Sequence, residues 1–386
     1  MELSALYRTP PDPDCYTYDR FFYHVKFVNR SLMTHKALAH ILLSASLGLL
    51  FLSSCEEVLI REEYEENAVD VFNSLWTTID ENYTFFELKD IDWDQVYAQN
   101  RPRVENGMRR DSLFNVLSDM LFELRDGHVN LQAGFDLSRN WQWYLDYQPN
   151  FDYDVVERNY LGDDYEISGP FYNRVIDSIG YVYYESFEDD VSDNLVQYLI
   201  SKFSPRIVDD TDTVIVKGMV FDVRNNGGGK LRNVENIVGR FADERKLVHY
   251  WQYKNGPAHN DLTDRIPKYV EPAGDFQYRQ PVVILTNRSC YSATNFFVQI
   301  MKNFPNVLVL GDSTGGGGGL PINHELPNGW RYRFSSTVTT TVGGEDIELG
   351  VAPDEPFDLS EQELLRGRDT MIERAFEIIN QAYDNR

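Results

Sequence analysis

The sequence predicts an α/β fold with parallel strand pairing, preceded by a helical domain. Two observations predict the α/β part. Apolar runs of strand length recur in the second half of the chain, at Val214 to Val223, Pro281 to Leu285 and Val307 to Leu310. The first ends in a glycine turn and the second in a polar turn, and each turn leads into a stretch of helical period. Strand, turn, helix, strand, helix is the order of crossover units, whose strands pair in parallel. The third observation lies upstream. From Tyr64 to about Leu124 apolar residues recur at three- and four-residue steps, as on helices that bury one face.

The chain has 386 residues, and hydrophobic residues are 42% of it, so a sizeable core forms and wholesale disorder is excluded. The net charge of −25 argues against a nucleic-acid partner, because phosphates attract basic surfaces. Cys15, Cys55 and Cys290 give neither a disulfide framework nor a zinc spacing. Beyond position 55 the histidines are His128, His249, His259 and His324, none in an H-x-x-x-H pair, so no metal site is expected.

Residues 1–54 read as a leader. The first 32 show no clear period. Met33 begins a familiar pattern: Lys36, an uncharged and mainly apolar run from Ala37 to Leu52, then Leu52-Ser53-Ser54-Cys55. A positive region, an apolar region and small residues make an export signal. Its ending resembles the bacterial lipobox, in which the Cys becomes the lipidated first residue. The run is short for a spanning helix. The expected start is therefore Met33, with a mature chain beginning at Cys55 and tethered to a membrane rather than spanning it. Loss of five Lys/Arg and four Asp/Glu leaves a charge of −26. Residues 55–63 are the tether.

Residues 64–131 are the expected helical domain. Val69, Phe72, Leu75, Trp76 and Ile79 form one stripe, and Leu113, Val116, Leu117, Met120 and Leu121 another. Asp92-Trp93-Asp94 and Asp111-Ser112-Leu113-Phe114 look like helix starts. The last helix runs into Leu124-Arg125-Asp126-Gly127-His128, where Gly127 breaks it and His128 begins an alternating segment. A lone His after a Gly turn is, by itself, more often structural than catalytic.

Residues 132–386 are the expected α/β core. Residues 132–170 read as loop and short strands, Ile179 to Phe187 as a strand, and Val191 to Phe203 as a helix. The apolar run ending at Val223 leads into Arg224-Asn225-Asn226-Gly227-Gly228-Gly229. Consecutive glycines open backbone conformations closed to other residues and let N–H groups approach an oxyanion. Val234 to Ala242 reads as a helix. After Pro281 to Leu285 comes the turn Thr286 to Tyr291, and Ser292-Ala293 opens a helix with Phe296, Phe297, Ile300 and Met301 on one face. Ser292 is there either an N-cap or a nucleophile at a helix N-terminus. On this stretch alone the cap is the commoner case. Gly315 to Gly319 is no phosphate loop, since neither Gly-Lys-Ser/Thr nor a helix follows. Pro327-Asn328-Gly329-Trp330 marks a hairpin, and Arg331 to Val342 reads as one strand. Ser360-x-x-Glu363 is a capping box for a helix running to about Tyr383.

The helical domain ending in L-x-D-x-H, the turn VFDVRNNGGG, the stretch SATN, then GDSTGG and ELGVAPD occur in one order. Together they resemble the C-terminal processing (tail-specific) serine peptidases, including the tricorn-core-like branch, over roughly residues 64–386. The resemblance implies a core of the Clp protease/crotonase type. It puts Ser292 on the nucleophile, and the N–H of Ala293 with that of Gly228 or Gly229 on the oxyanion hole. Where the better-known branch carries its Lys base, this chain has Gly317, so a Ser–Lys dyad cannot operate. The tricorn-like branch uses a His oriented by a distant Glu, and those positions fall on His128 and Glu348. Glu345 and Asp346 are close in sequence to Glu348, and Asp126 is a local alternative. The PDZ module of many relatives is missing, with only residues 132–175 or so in its place. Cys290, two residues before Ser292, reads as a buried small residue.

The expectation is a lipid-anchored serine endopeptidase of the cell envelope. It would act on peptides or proteins through an acyl-enzyme, with no cofactor or metal. The rival readings are a non-catalytic peptide- or hydrophobic-ligand-binding protein on the same fold, and a hydrolase of non-peptide esters or amides. The oligomeric state is left open.

Overall fold

The computed structural model describes residues 67–139, 141–207 and 213–385. The leader, the tether and Cys55 lie outside them. The described residues cluster as one compact unit.

Three helices open the unit: α1, Ala68–Asn82; α2, Trp93–Asn100; and α3, Arg110–Phe122. Side-chain oxygens of Asn67 and Asp92 cap α1 and α2, taking N–H groups that have no partner within the helix. A short strand follows, β1, Asn130–Gln132. Next come β2, Glu166–Ser168; β3, Phe171–Ile176; β4, Ile179–Tyr184; α4, Asp193–Lys202; β5, Gly218–Asp222; and α5, Leu231–Val238. Then come β6, Lys246–Tyr253; β7, Ile266–Val270; β8, Val282–Thr286; α6, Ala293–Met301; and β9, Val307–Gly311. The chain closes with β10, Pro321–Glu325; β11, Arg331–Ser335; β12, Thr337–Thr341; β13, Glu355–Pro356; and α7, Thr370–Asp384.

The main sheet has seven strands in the order β13-β9-β8-β5-β4-β3-β2. From β13 to β4 every pair is parallel; β3 and β2 add an antiparallel edge. The expected parallel pairing is present. Leu285 of β8 lies opposite Asp222 of β5 and Leu310 of β9, so the strands end level and their following turns are neighbours. Helices α4, α5 and α6 bury Val196, Val234, Phe297 and Met301 against one sheet face. On the other, α7 buries Met371, Ile372, Ala375 and Ile379. Each fully buried Leu, Ile or Phe contributes about 1.5–3 kcal/mol.

Three expectations are corrected. The run Val214 to Val223 enters the sheet only at Gly218; Thr213–Val214 pairs instead with Arg206–Ile207 in a separate ribbon. Of the apolar residues there Val216 is buried but Ile215 is exposed, so apolar composition does not mark the start of the sheet strand. Arg331 to Val342 is two strands broken at Ser336: β11 pairs with β10 and β1, whereas β12 pairs with β6. The capping box at Ser360 closes only the short helix Glu361–Leu364, and α7 begins separately under an Asp369 cap.

The break at Ser336 matters for the site. Through β11, the chain after residue 320 joins the helical layer, and Tyr332, Phe334 and Trp330 share a core with α1 and α3. Strand β1 pairs with β11 in the register Asn130 to Arg333, two residues beyond His128. This pairing carries His128 to the ends of the sheet strands.

Candidate active site

The glycine turn starts from a buried ion cluster. Asp222, the last residue of β5, receives Arg224 Nε at 2.9 Å and Nη2 at 2.6 Å. Arg224 Nη1 reaches Asp369 Oδ2 at 2.8 Å, and Tyr181 donates to Asp222 Oδ2 at 2.8 Å. The three charged side chains are fully buried. Bidentate geometry fixes the direction in which the chain leaves the strand.

Two asparagines then join the glycine turn to the turn after β8. Asn226 Oδ1 accepts from the Gly228 N–H at 3.0 Å and from Thr294 Oγ1 at 2.6 Å, and its carbonyl accepts from the Tyr291 N–H. Asn287 Oδ1 accepts from the Asn225 N–H, and its amide nitrogen donates to Asn225 Oδ1.

Ser292 sits at the N-cap position of α6 with φ +55° and ψ −119°, and its side chain makes no capping bond. Such a conformation costs about 1–3 kcal/mol in a residue with a side chain and persists only where its surroundings enforce it. Here the Ser292 N–H donates to the Gly316 carbonyl at 2.9 Å, and its carbonyl accepts from Phe296. The hydroxyl points to the imidazole instead: Oγ lies 2.8 Å from His128 Nε2. Between cap and nucleophile, the geometry matches the second.

His128 is buried, and both its backbone and its ring are held. Its N–H donates to Asp126 Oδ1 at 2.8 Å, its carbonyl accepts from Arg333 Nε at 3.0 Å, and its ring lies 4.9 Å from that of Tyr291. Burial pushes the imidazole down to about 4, with Arg333 and Lys89 adding to the effect and Asp126 opposing it. The ring is therefore neutral at neutral pH.

Glu348 is not placed as expected. Its Oε1 accepts from Lys89 Nζ at 2.8 Å and its Oε2 from the Gly319 N–H at 3.1 Å. At His128 Nδ1 stands Ser335 Oγ, at 3.5 Å. The Lys89 ammonium outcompetes a neutral imidazole for a buried carboxylate. Asp126, the local alternative, acts on the backbone of His128, as well as lying 3.6 Å from Lys89 Nζ. Burial opposes ionisation of Asp126, but Lys89, the His128 ring and the His128 N–H hold it below its ordinary value. Burial and the Asp126 carboxylate push Glu348 up to about 8. Lys89, Tyr83 and Ser335 were not singled out in the sequence. The available signal was a single Lys closing the aromatic stretch Tyr83-Thr84-Phe85-Phe86.

Of the two glycines expected at the oxyanion hole, Gly228 has its amide committed to Asn226. The amides of Gly229 and Ala293 have no acceptor among the described residues. Gly228 is still required: at φ +102°, a Cβ there would meet Ser292 Cβ and Ala293 N, each at 2.9 Å. Cys290 donates to the Val223 carbonyl, and burial pushes its thiol up to about 12, as suits a packed rather than a reactive thiol.

Residues 178–357 match the family described as "Peptidase family S41", and residues 61–122 match "Tricorn protease C1 domain". The crystal structure of a candidate peptidase from Parabacteroides merdae is similar at 43% identity and a TM-score of 0.75, over 81% of this chain and 97% of that one. Mature CPAF complexed with lactacystin aligns with a TM-score of 0.63 over 83% of this chain and 99% of that one. At 11% identity that likeness is one of fold. A chloroplastic C-terminal processing peptidase from Tetradesmus obliquus is 28% identical over 144 residues, 37% of this chain and 29% of the relative. The chain spans less than a third of the length of the curated relatives it matches. The core is of the Clp protease/crotonase type, with a helical N-terminal region.

Proposed function

We propose that the chain, which belongs to the C-terminal processing serine peptidases of family S41, hydrolyses peptide bonds by acyl transfer through Ser292. The observation that carries this is the strained Ser292 with its hydroxyl 2.8 Å from a buried, neutral imidazole. Ser292 Oγ attacks the carbonyl carbon as His128 Nε2 takes its proton. The carbonyl π pair moves to oxygen, and the oxyanion meets the amides of Ala293 and Gly229. The C–N bond then breaks, His128 delivers the proton to the leaving amine, and an ester remains on Ser292. Water, deprotonated by His128, attacks that ester, and the proton returns to Oγ. Asp126 favours the transient imidazolium by its charge, and Ser335 can accept from Nδ1.

The substrate reading rests on a groove of about 350 Å³ between α5, α6 and the β6–β7 hairpin. Its lining includes Phe296, one helical turn along α6 from Ser292, and Leu231, two residues along the chain from Gly229. Val234 and Ile300 continue its apolar wall, with Lys268 and Glu271 at the rim. A peptide lying across Ser292 would place a large apolar side chain there. Incubation of the full chain with a peptide library tests the reading. Cleavage beside Leu, Phe or Met, with an acyl adduct trapped on Ser292, supports it. Peptides retained intact by the wild type would favour the binding-protein reading, and turnover of esters alone would favour the non-peptide hydrolase.

The envelope location and the lipid anchor at Cys55 rest on residues 33–55 alone. No helix among the described residues is long and apolar enough to cross a membrane. Incorporation of an alkyne-tagged fatty acid in bacterial cells, lost in Cys55→Ser, is the expected result. Equal incorporation in the variant would refute it.

A further inference from the structure

The Lys89 side chain is buried, and its ammonium touches four groups. Nζ lies 2.8 Å from Glu348 Oε1, 3.0 Å from Tyr83 Oη, 3.1 Å from the Arg125 carbonyl and 3.6 Å from Asp126 Oδ2. The Arg125 guanidinium donates back to the Lys89 carbonyl. Each carboxylate continues to a different side of the site. Asp126 Oδ1 receives the His128 N–H at 2.8 Å and the Tyr291 hydroxyl at 3.3 Å. Glu348 Oε2 receives the Gly319 N–H, and the Glu348 carbonyl receives the Gly317 N–H at 3.0 Å. The same glycine loop holds Ser292 through the Gly316 carbonyl.

We propose that Lys89 is a positioning residue that pins the His128 turn to the glycine loop holding Ser292, so that one ammonium sets the distance between the two reacting side chains. This rests on the catalytic reading above and deepens it. Lys89 reaches no reacting atom and works through Asp126 and Glu348. Lys89 Nζ is the shared donor that holds Asp126 and Glu348 to one point; without it the Asp126 carboxylate is left buried beside the Glu348 carboxyl with its cation gone, and one of their loops must move. A shift of about 1 Å between Ser292 Oγ and His128 Nε2 is enough to cost on the order of 100-fold in rate. The role assigned to Glu348 changes with it, from orienting the imidazole to anchoring the glycine loop.

The test compares the full chain with Lys89→Met and with Lys89→Met/Glu348→Gln, in which no carboxylate is left unpaired on the glycine-loop side. Peptide kcat and KM, the thermal midpoint and the imidazole ¹⁵N resonances of His128 are measured. The expected result is a kcat lower by on the order of 10- to 100-fold in both variants, with KM within about twofold. The double variant regains thermal stability without regaining rate. Wild-type kcat in either variant overturns the proposal, as does a rate that returns together with stability in the double variant. If Lys89→Met does not fold, the double variant carries the test. Should the wild type turn over no peptide, the catalytic reading fails separately and the resonances decide. His128 Nε2 that keeps its wild-type shift in the double variant overturns the pinning. A shift matching that of Ser292→Ala supports it.

Discussion

The ring of Tyr291 fills the space into which a side chain at position 317 would project. A Cβ on Gly317 would come within 2.6 Å of Tyr291 Cζ, and Gly317 has φ +79°. The same ring lies 4.9 Å from that of His128 and 4.2 Å from that of Trp143. One ring thus both closes the space beside position 317 and packs against the His128 imidazole. Gly317→Lys is expected to destabilise the protein by about 1–3 kcal/mol through overpacking, measured by urea unfolding. It is not expected to rescue His128→Ala. Recovery of serine reactivity in Gly317→Lys/His128→Ala would show that the Lys mechanism is still open to this fold.

The acid limb of activity should be unusually low. The base must be unprotonated, so rate is lost as pH falls through its pKa. Burial pushes His128 down to about 4. A profile of kcat/KM should therefore stay flat from neutral pH to about 5 and fall near 4. An acid limb centred at the ordinary imidazole value of 6.5 would mean that the ring is solvated in the working enzyme.

Arg224 should be the most sensitive charged residue of the fold. Its replacement leaves Asp222 and Asp369 buried without their cation. Arg224→Met is expected to lose about 3–5 kcal/mol, read from urea unfolding. A loss below about 1 kcal/mol would show that the two carboxylates find other partners.

Glu348 gives stability a pH dependence of its own. The unfolded carboxyl titrates near 4.5, and the folded one, raised by burial and by Asp126, near 8. Between those values the folded state keeps a proton that the unfolded state has released, so stability falls as pH rises through this window. Glu348→Gln, which can still accept from Lys89, should flatten that slope between pH 5 and 8. An unchanged slope would place the dependence on another group.

Some of this was legible in the sequence and some was not. Ser292 and His128 are legible through the family motifs that contain them; their local signatures alone, a strand handing over to a helix and a His after a Gly turn, point first to a cap and to a structural His, and the helix before that turn already ends at Phe122, short of Gly127. The pairing of Lys89 with Glu348 joins residues 259 positions apart, and neither segment carries a pattern that names the other. The choice between Gly228 and Gly229 depends on the Asn226 side chain bonding two residues ahead, which the run of glycines conceals. The division of Arg331 to Val342 was hidden because its Ser/Thr-rich alternation continues unbroken across Ser336 while the strand changes sheets.

The central claim is that His128 activates Ser292, and the most direct measurement is the rate at which a fluorophosphonate probe labels the full chain. The wild type should label. Ser292→Ala should not label at all, and His128→Ala should label slower by on the order of 100- to 10,000-fold. A wild type that stays unlabelled beside a reactive control serine peptidase, or a His128→Ala variant that labels at the wild-type rate, would contradict the account.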